Sequence, residues 1–202
     1  MVERYATAED LRAQVDVNRT IHDSVLDGML EAASRAIDGI CNRPDGFLAL
    51  AVGTERRYPG NADGYISIGE CVAVTSVKAI TWDSLLVETQ TALTDWYAYK
   101  GSFAFPVYEP PYTAIMLEGS FPESKTPNIA VVARWGYADA IPALVRQATI
   151  TIAARWWMRG RSAWSDAVMP EGGGTLLYRQ VVDPDVILML SNGRLIRGAA
   201  IG

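Results

Sequence analysis

Histidine and cysteine are almost missing from this chain: among 202 residues there is one His, His22, and two Cys, Cys41 and Cys71. A Ser-His-Asp or Cys-His mechanism would have to pass through His22, and a zinc site would have one imidazole and two thiols far apart in sequence. Two cysteines outside any CxxC spacing make no disulfide framework for this length, so both are read as free thiols in a reducing compartment. Long apolar runs are missing too. Nothing approaches the roughly 18 residues of a membrane span, and the opening MVERYATAEDLRAQ is charged where a signal peptide is apolar. The expectation is a protein folded in cytoplasm with no membrane partner. No GxGxxG or GxxxxGK[ST] segment occurs, and Gly172-Gly173-Gly174 neither follows a strand nor opens a helix, so it reads as a loop and not a phosphate cradle. No cofactor and no metal are expected. Basic charge is also short, with 18 Lys and Arg against 23 Asp and Glu, the reverse of a protein that grips nucleic acid.

What is present is a folding composition. Half the residues are hydrophobic and a fifth are charged, enough for one sizeable core. Residues 1–45 read as helical. Thr7 with Asp10 three places on forms a capping-box signal for a helix near 8–16. From Ile21, the positions Val25, Met29, Ala33, Ala36, Ile37 and Ile40 recur at helical spacing, widened by Leu26 and Leu30, with Asp23, Asp27, Glu31, Arg35 and Asp38 as the solvated face. Arg43-Pro44 and Asp45-Gly46 end it near Asn42.

Residues 46–140 change to β-branched and aromatic residues punctuated by Gly, Pro, Asn and Asp, giving candidate strands at 55–58, 64–68, 75–82, 95–100, 114–118 and 129–135. Pro142 suits a first helical turn, and Leu144, Val145, Ala148, Ile152 and Trp156 form one stripe of a central helix over 141–164. Ile150 and Trp157 form a second stripe. Residues 165–202 read as a flexible loop, a short helix capped by Asp183 and opened by Pro184, a stop at Gly193 and a tail. The order helices, strands, helices, without βαβ alternation, predicts a single α+β domain of 1–202: a helical bundle core with an inserted antiparallel β-lobe.

Charge is partitioned along this order. Residues 1–45 carry 5 basic and 9 acidic side chains, 46–140 carry 6 and 10, and 141–202 carry 7 and 4. The one basic and aromatic cluster, Arg155-Trp156-Trp157-Met158-Arg159-Gly160-Arg161 with Trp164, reads as a core helix whose arginines emerge at its C-terminal end, where the dipole favours cations. Stacking on nucleic acid is the other reading of that cluster. Asp183 and Asp185 are explained by a helix N-terminus. A carboxylate-dependent hydrolase would need two acids meeting in a cleft, and a small-ligand or protein-binding module is the remaining alternative to a structural role. On these absences the chain is expected not to be an enzyme, with no catalytic residue assigned.

The run Tyr5-Ala6-Thr7-Ala8-Glu9-Asp10-Leu11, then Ala32-Ala33-Ser34-Arg35-Ala36-Ile37-Asp38, then Cys41-Asn42-Arg43-Pro44 with Phe47, resembles the opening of head–tail connector (adaptor) proteins of long-tailed bacteriophages. Arg57-Tyr58, Val74 to Val77, Asp95-Trp96-Tyr97, and Gly136-Tyr137 before Ile141-Pro142 extend the likeness over residues 5–164. The resemblance implies a structural virion protein in the neck between capsid and tail. It implies a homo-oligomeric ring, commonly of twelve copies, under the portal protein, followed by a stopper or tail-completion protein. It further implies that double-stranded DNA passes through the lumen of that ring without tight binding. The C-terminal segment is the implied portal contact, with Arg194, Leu195, Ile196, Arg197 and Ile201 as candidates. Ile150, Trp157, Arg159 and Arg161 are candidates for the ring interface, together with a free edge of the β-lobe.

Overall fold

The computed structural model describes residues 4–16, 22–100, 110–161 and 183–197, and the backbone at 167–168 and 176–177. The chain is mixed α+β and divides into two compact units, Met1–Pro44 with Ile141–Gly202, and Asp45–Ala140.

The first unit holds helices α1 (Ala8–Val15), α2 (Asp23–Ile40), α3 (Ala143–Arg161) and α4 (Pro184–Asn192), with a small pair of strands, β7 (Ala167–Val168) and β8 (Leu176–Leu177). α1 opens on a complete capping box: the Thr7 hydroxyl accepts from the Asp10 N–H at 3.2 Å, and the Asp10 carboxylate accepts from the Thr7 N–H at 2.9 Å. Arg12 ties it to the first turn of α2 through both oxygens of Asp23, at 2.8 and 2.9 Å. α2 buries Leu26, Leu30, Ala33, Ser34 and Ile37, a stripe rotated from the one expected, since Val25 is exposed. The rotation follows from Ser34, whose hydroxyl donates to the Leu30 carbonyl at 2.7 Å and accepts from the Tyr5 N–H at 3.1 Å, so a polar residue sits satisfied in the core. Asp38, expected on the solvated face, is buried beneath Tyr5.

α3 packs against the other three helices. Its buried face is Val145, Ala148, Thr149, Ile150, Ile152 and Ala153, with Leu144 exposed and Trp156 and Trp157 half-buried. The expected stripe through Leu144 and Trp156 is corrected accordingly. Small residues at the centre of α3 let its neighbours approach, and Thr149 closes its hydroxyl onto the Val145 carbonyl at 2.9 Å. α4 starts as expected, with Asp183 accepting from the Asp185 N–H at 3.0 Å and Pro184 at the first position.

The second unit is an antiparallel sheet of β1 (Thr54–Pro59), β2 (Tyr65–Trp82), β3 (Glu88–Ala92), β4 (Trp96–Tyr99), β5 (Tyr112–Leu117) and β6 (Pro127–Trp135), in the order β1-β6-β2-β5-β4 with β3 also on β2. The candidate strands 64–68 and 75–82 are one strand of 18 residues. It stays continuous by shifting register between Ser67 and Cys71 against β5, and between Cys71 and Ala73 and again Val74 and Ser76 against β6. Such bulges bend a strand without ending it. β3, Glu-Thr-Gln-Thr-Ala, was not among the expected strands: every residue in it is exposed, so it carries no alternation. The core gathers Ile66, Ile68, Val77, Ile115, Phe121, Ile129, Val131 and Trp135. Gly136 takes a φ of +135, and a Cβ there would lie 2.4 Å from the Ala49 Cα, so both conformation and close approach require glycine.

Candidate assembly surfaces

The C-terminal segment is held by hydrogen bonds of its own backbone. Asn42, in the left-handed region at φ 52, turns the chain out of α2 and points Arg43 inward, where its Nε donates to the Leu195 carbonyl at 3.0 Å. Two residues on, the Arg197 N–H donates to the Cys41 carbonyl at 3.0 Å, and the Leu195 N–H closes back on Leu190 at 3.0 Å. Leu195 is therefore an internal anchor, 4% exposed. Of the other candidates in this segment, Arg194 is exposed, Ile196 and Arg197 are half-buried, and Ile201 lies outside the described residues.

On α3, the candidates separate. Ile150 is buried in the single chain, 7% exposed, and lines the cleft between α1 and α3. Trp157 is half-buried, its ring 5.4 Å from His22 and tilted by 59°, and its indole Nε1 is buried without a hydrogen-bond partner. His22 thus sits at the N-cap position of α2 without capping it. It forms one wall of an aromatic corner. Around that corner Met158 is 55% exposed and Val25, one turn along from His22, is 48% exposed. Arg159 is half-buried and Arg161 exposed at the helix end. α3 holds Arg146, Arg155, Arg159 and Arg161 and no acidic residue; Arg155 faces Asp183 at 3.4 Å.

A cleft of about 530 Å³ in this unit is lined by residues of α1 and the start of α3. Among the described residues Asp10 is the one carboxylate on its walls, and it is bound by Arg146 at 2.5 and 3.2 Å. Burial raises the Asp10 carboxyl, but the hydrogen bonds from Thr7 and Arg146 outweigh it and hold the group below the ordinary range. Among the described residues the cleft brings no second acid to it. Among the described residues no group of His, Cys, Asp and Glu is placed to hold a metal ion, and no helix is long and apolar enough to cross a membrane.

In the sheet unit, Arg56 lies 4.4 Å over the Trp135 ring and binds Asp45 at 2.8 and 2.5 Å, fixing the sheet's largest core residue from above. Cys71 is buried, and burial pushes its thiol up to about 12, which leaves it unreactive. Two exposed apolar features stand out. Tyr65, Met116 and Tyr97 are paired in register across β2, β5 and β4. The β2–β3 turn presents Leu85 and Leu86, each 81% exposed, beside Val87 and Trp82. Sequence reasoning passed over this turn. The signal was there in Leu85-Leu86-Val87 directly after Asp83-Ser84, an apolar run where a polar turn is usual.

No protein-family model matches this chain, and no curated protein does. Among solved structures, it is similar to a chain in the neck of an empty GTA (gene transfer agent) particle computed with C6 symmetry, at 16% identity, a TM-score of 0.57, and coverage of 96% of this chain and 91% of that one. A chain in the neck of a native GTA particle computed with C12 symmetry is 18% identical, with a TM-score of 0.48 and coverage of 99% and 98%. Over nearly its whole length, then, this chain has a fold that occurs in the neck of a phage-like particle.

Proposed function

We propose that this protein is a structural neck component, an adaptor that assembles with further copies of itself into a ring between portal and tail and continues the channel for DNA, without chemistry of its own. The observation that carries this reading is the correspondence of fold across both units with the neck chain of the empty particle. That structure's C6 symmetry is compatible with twelve copies. The carboxylate of the helical cleft is locked in an ion pair, which also favours assembly over catalysis. The segment Arg194–Arg197, pinned at Leu195 and Cys41, is the portal contact, with Arg194 and Ile196 offered outward and Leu195 as anchor. The C-terminal end of α3, with Trp157, Arg159 and Arg161, is one side of the ring interface. A stopper or tail-completion protein follows on the far side.

Co-expression with the portal protein of the same genome, followed by sizing and electron microscopy, tests this. A rotationally symmetric ring of this chain seated on the portal is the expected result. A chain that stays monomeric at high concentration and never co-purifies with the portal overturns it.

A further inference from the structure

A ring built from one kind of contact needs two different patches on each subunit, one fitting the other. The α3 end offers only one of them. We propose that the other is the β2–β3 turn: its apolar tip, Leu85, Leu86 and Val87, seats on the Trp157–Met158 corner at the C-terminal end of α3 in the adjacent copy. This rests on the ring reading above and names the contact that closes it.

Three observations carry it. First, the tip is a built projection. The Asp83 carboxylate accepts from the Leu85 N–H at 2.8 Å and the Val87 N–H at 2.9 Å, the Leu86 N–H donates to the Asp83 carbonyl at 3.0 Å, and the Asp83 N–H donates to the Val87 carbonyl at 3.2 Å. So held, the turn points two leucines at solvent. Second, Leu86 sits at φ +61, in the left-handed region that glycine or asparagine occupies far more readily. A leucine there is worse for the isolated turn than Asn, which is understandable where the side chain is needed by something outside the unit. Third, the charges match. The turn itself, Trp82–Val87, carries Asp83 and no basic residue, and Glu88 beside it is paired with Arg57, whereas the last turn of α3 carries Arg159 and Arg161 and no acid. Arg159 and Arg161 flank the exposed Met158 there. An apolar tip with an acidic margin thus meets an apolar corner with a basic one, and like charges would penalise tip-to-tip or end-to-end pairing.

The test uses full-length chain assembled with its portal. Leu86→Asn removes the apolar contact while easing the backbone, so the variant is expected to melt no lower than the parent, yet to need at least tenfold more protein for ring formation. A merely structural role for Leu86 would lower both together. In parallel, Leu86→Cys on one chain and Met158→Cys on another, separately purified and mixed, are expected to join through a short bis-maleimide; the native Cys41 and Cys71 are buried. If parent rings form and Leu86→Asn forms them equally well, or if the two cysteines join only within a single doubly substituted chain, the tip contact is overturned and the ring reading stands. If parent chain forms no ring at all, the ring reading fails, and this contact with it.

Discussion

Single buried polar residues decide more here than the apolar stripes do. Arg43, in the sequence only a basic residue before a proline, is 4% exposed and holds the Leu195 carbonyl. Arg43→Ala leaves that buried acceptor unpaired and is expected to cost about 2–3 kcal/mol. Urea unfolding reads the loss, and faster amide exchange at Arg197 reads the release of the segment. Unchanged exchange would mean that the Arg197–Cys41 bond holds the segment alone. Asp38 makes the complementary case. Burial raises its carboxyl above the ordinary value, partly offset by the Tyr5 hydroxyl donating at 2.5 Å and by Arg35. Arg35 Nη1 lies 2.9 Å from Oδ2 but out of line for a hydrogen bond. A carboxyl raised on folding adds stability below its unfolded value of 3.8, and that stability is lost as pH rises through the folded value. Asparagine does not ionise and still accepts from Tyr5. Asp38→Asn should therefore gain on the parent as pH climbs from 3 toward neutrality, then run parallel to it. Paired denaturation curves check this, and a gain for the parent over the same range contradicts it.

At the scale of elements, termini were more legible than faces. The Thr7–Asp10 box, the Asp183–Pro184 start and the Gly193 stop all rest on hydrogen bonds between near neighbours, which spacing alone specifies. The box is expected to be worth about 1 kcal/mol, the usual loss for a Ser or Thr cap replaced by alanine. Thr7→Ala should lower the midpoint accordingly while keeping the Asp10–Arg146 pair, because the hydroxyl it removes accepts from the Asp10 backbone N–H, whereas the Asp10 carboxylate bonds the Thr7 backbone N–H and Arg146; a crosslink or NMR contact between α1 and α3 would persist. The faces of α2 and α3 were misjudged for a physical reason. Val25 and Leu144 are apolar but exposed, while Ser34, Thr149 and Asp38 are polar but buried, each with a partner distant or one turn away. Hydropathy registers the first kind of residue and is blind to the partners of the second. The joining of two strands into β2 escaped for a similar reason: register shifts between Ser67 and Ser76 break the alternation while the ladder continues. β3 escaped because every one of its residues is exposed, so no apolar alternation marks it, and of the surface candidates Ile150 and Leu195 are buried within the single chain.

For the whole molecule, charge distribution bears on the channel role proposed above. The sheet unit, Asp45–Ala140, has 6 basic and 11 acidic side chains, and the helical unit has 12 of each. Neither is net positive. Several of the arginines already face carboxylates of their own chain: Arg12 on Asp23, Arg56 on Asp45, Arg57 on Glu88 and Arg146 on Asp10. Duplex affinity grows with the number of phosphates neutralised, and each such contact steepens the salt dependence by nearly one counterion. A channel wall that must let DNA slide during packaging and ejection works best with few of these. With its arginines paired in this way, the protein is expected to show no duplex binding at physiological salt by fluorescence anisotropy. Only weak association should appear at low salt, with a slope of about two counterions or fewer, and Arg159→Gln with Arg161→Gln at the end of α3 should lower it further. Tight binding that persists at physiological salt with a slope of six or more would describe a protein that holds DNA rather than passes it, and the channel reading would have to be given up.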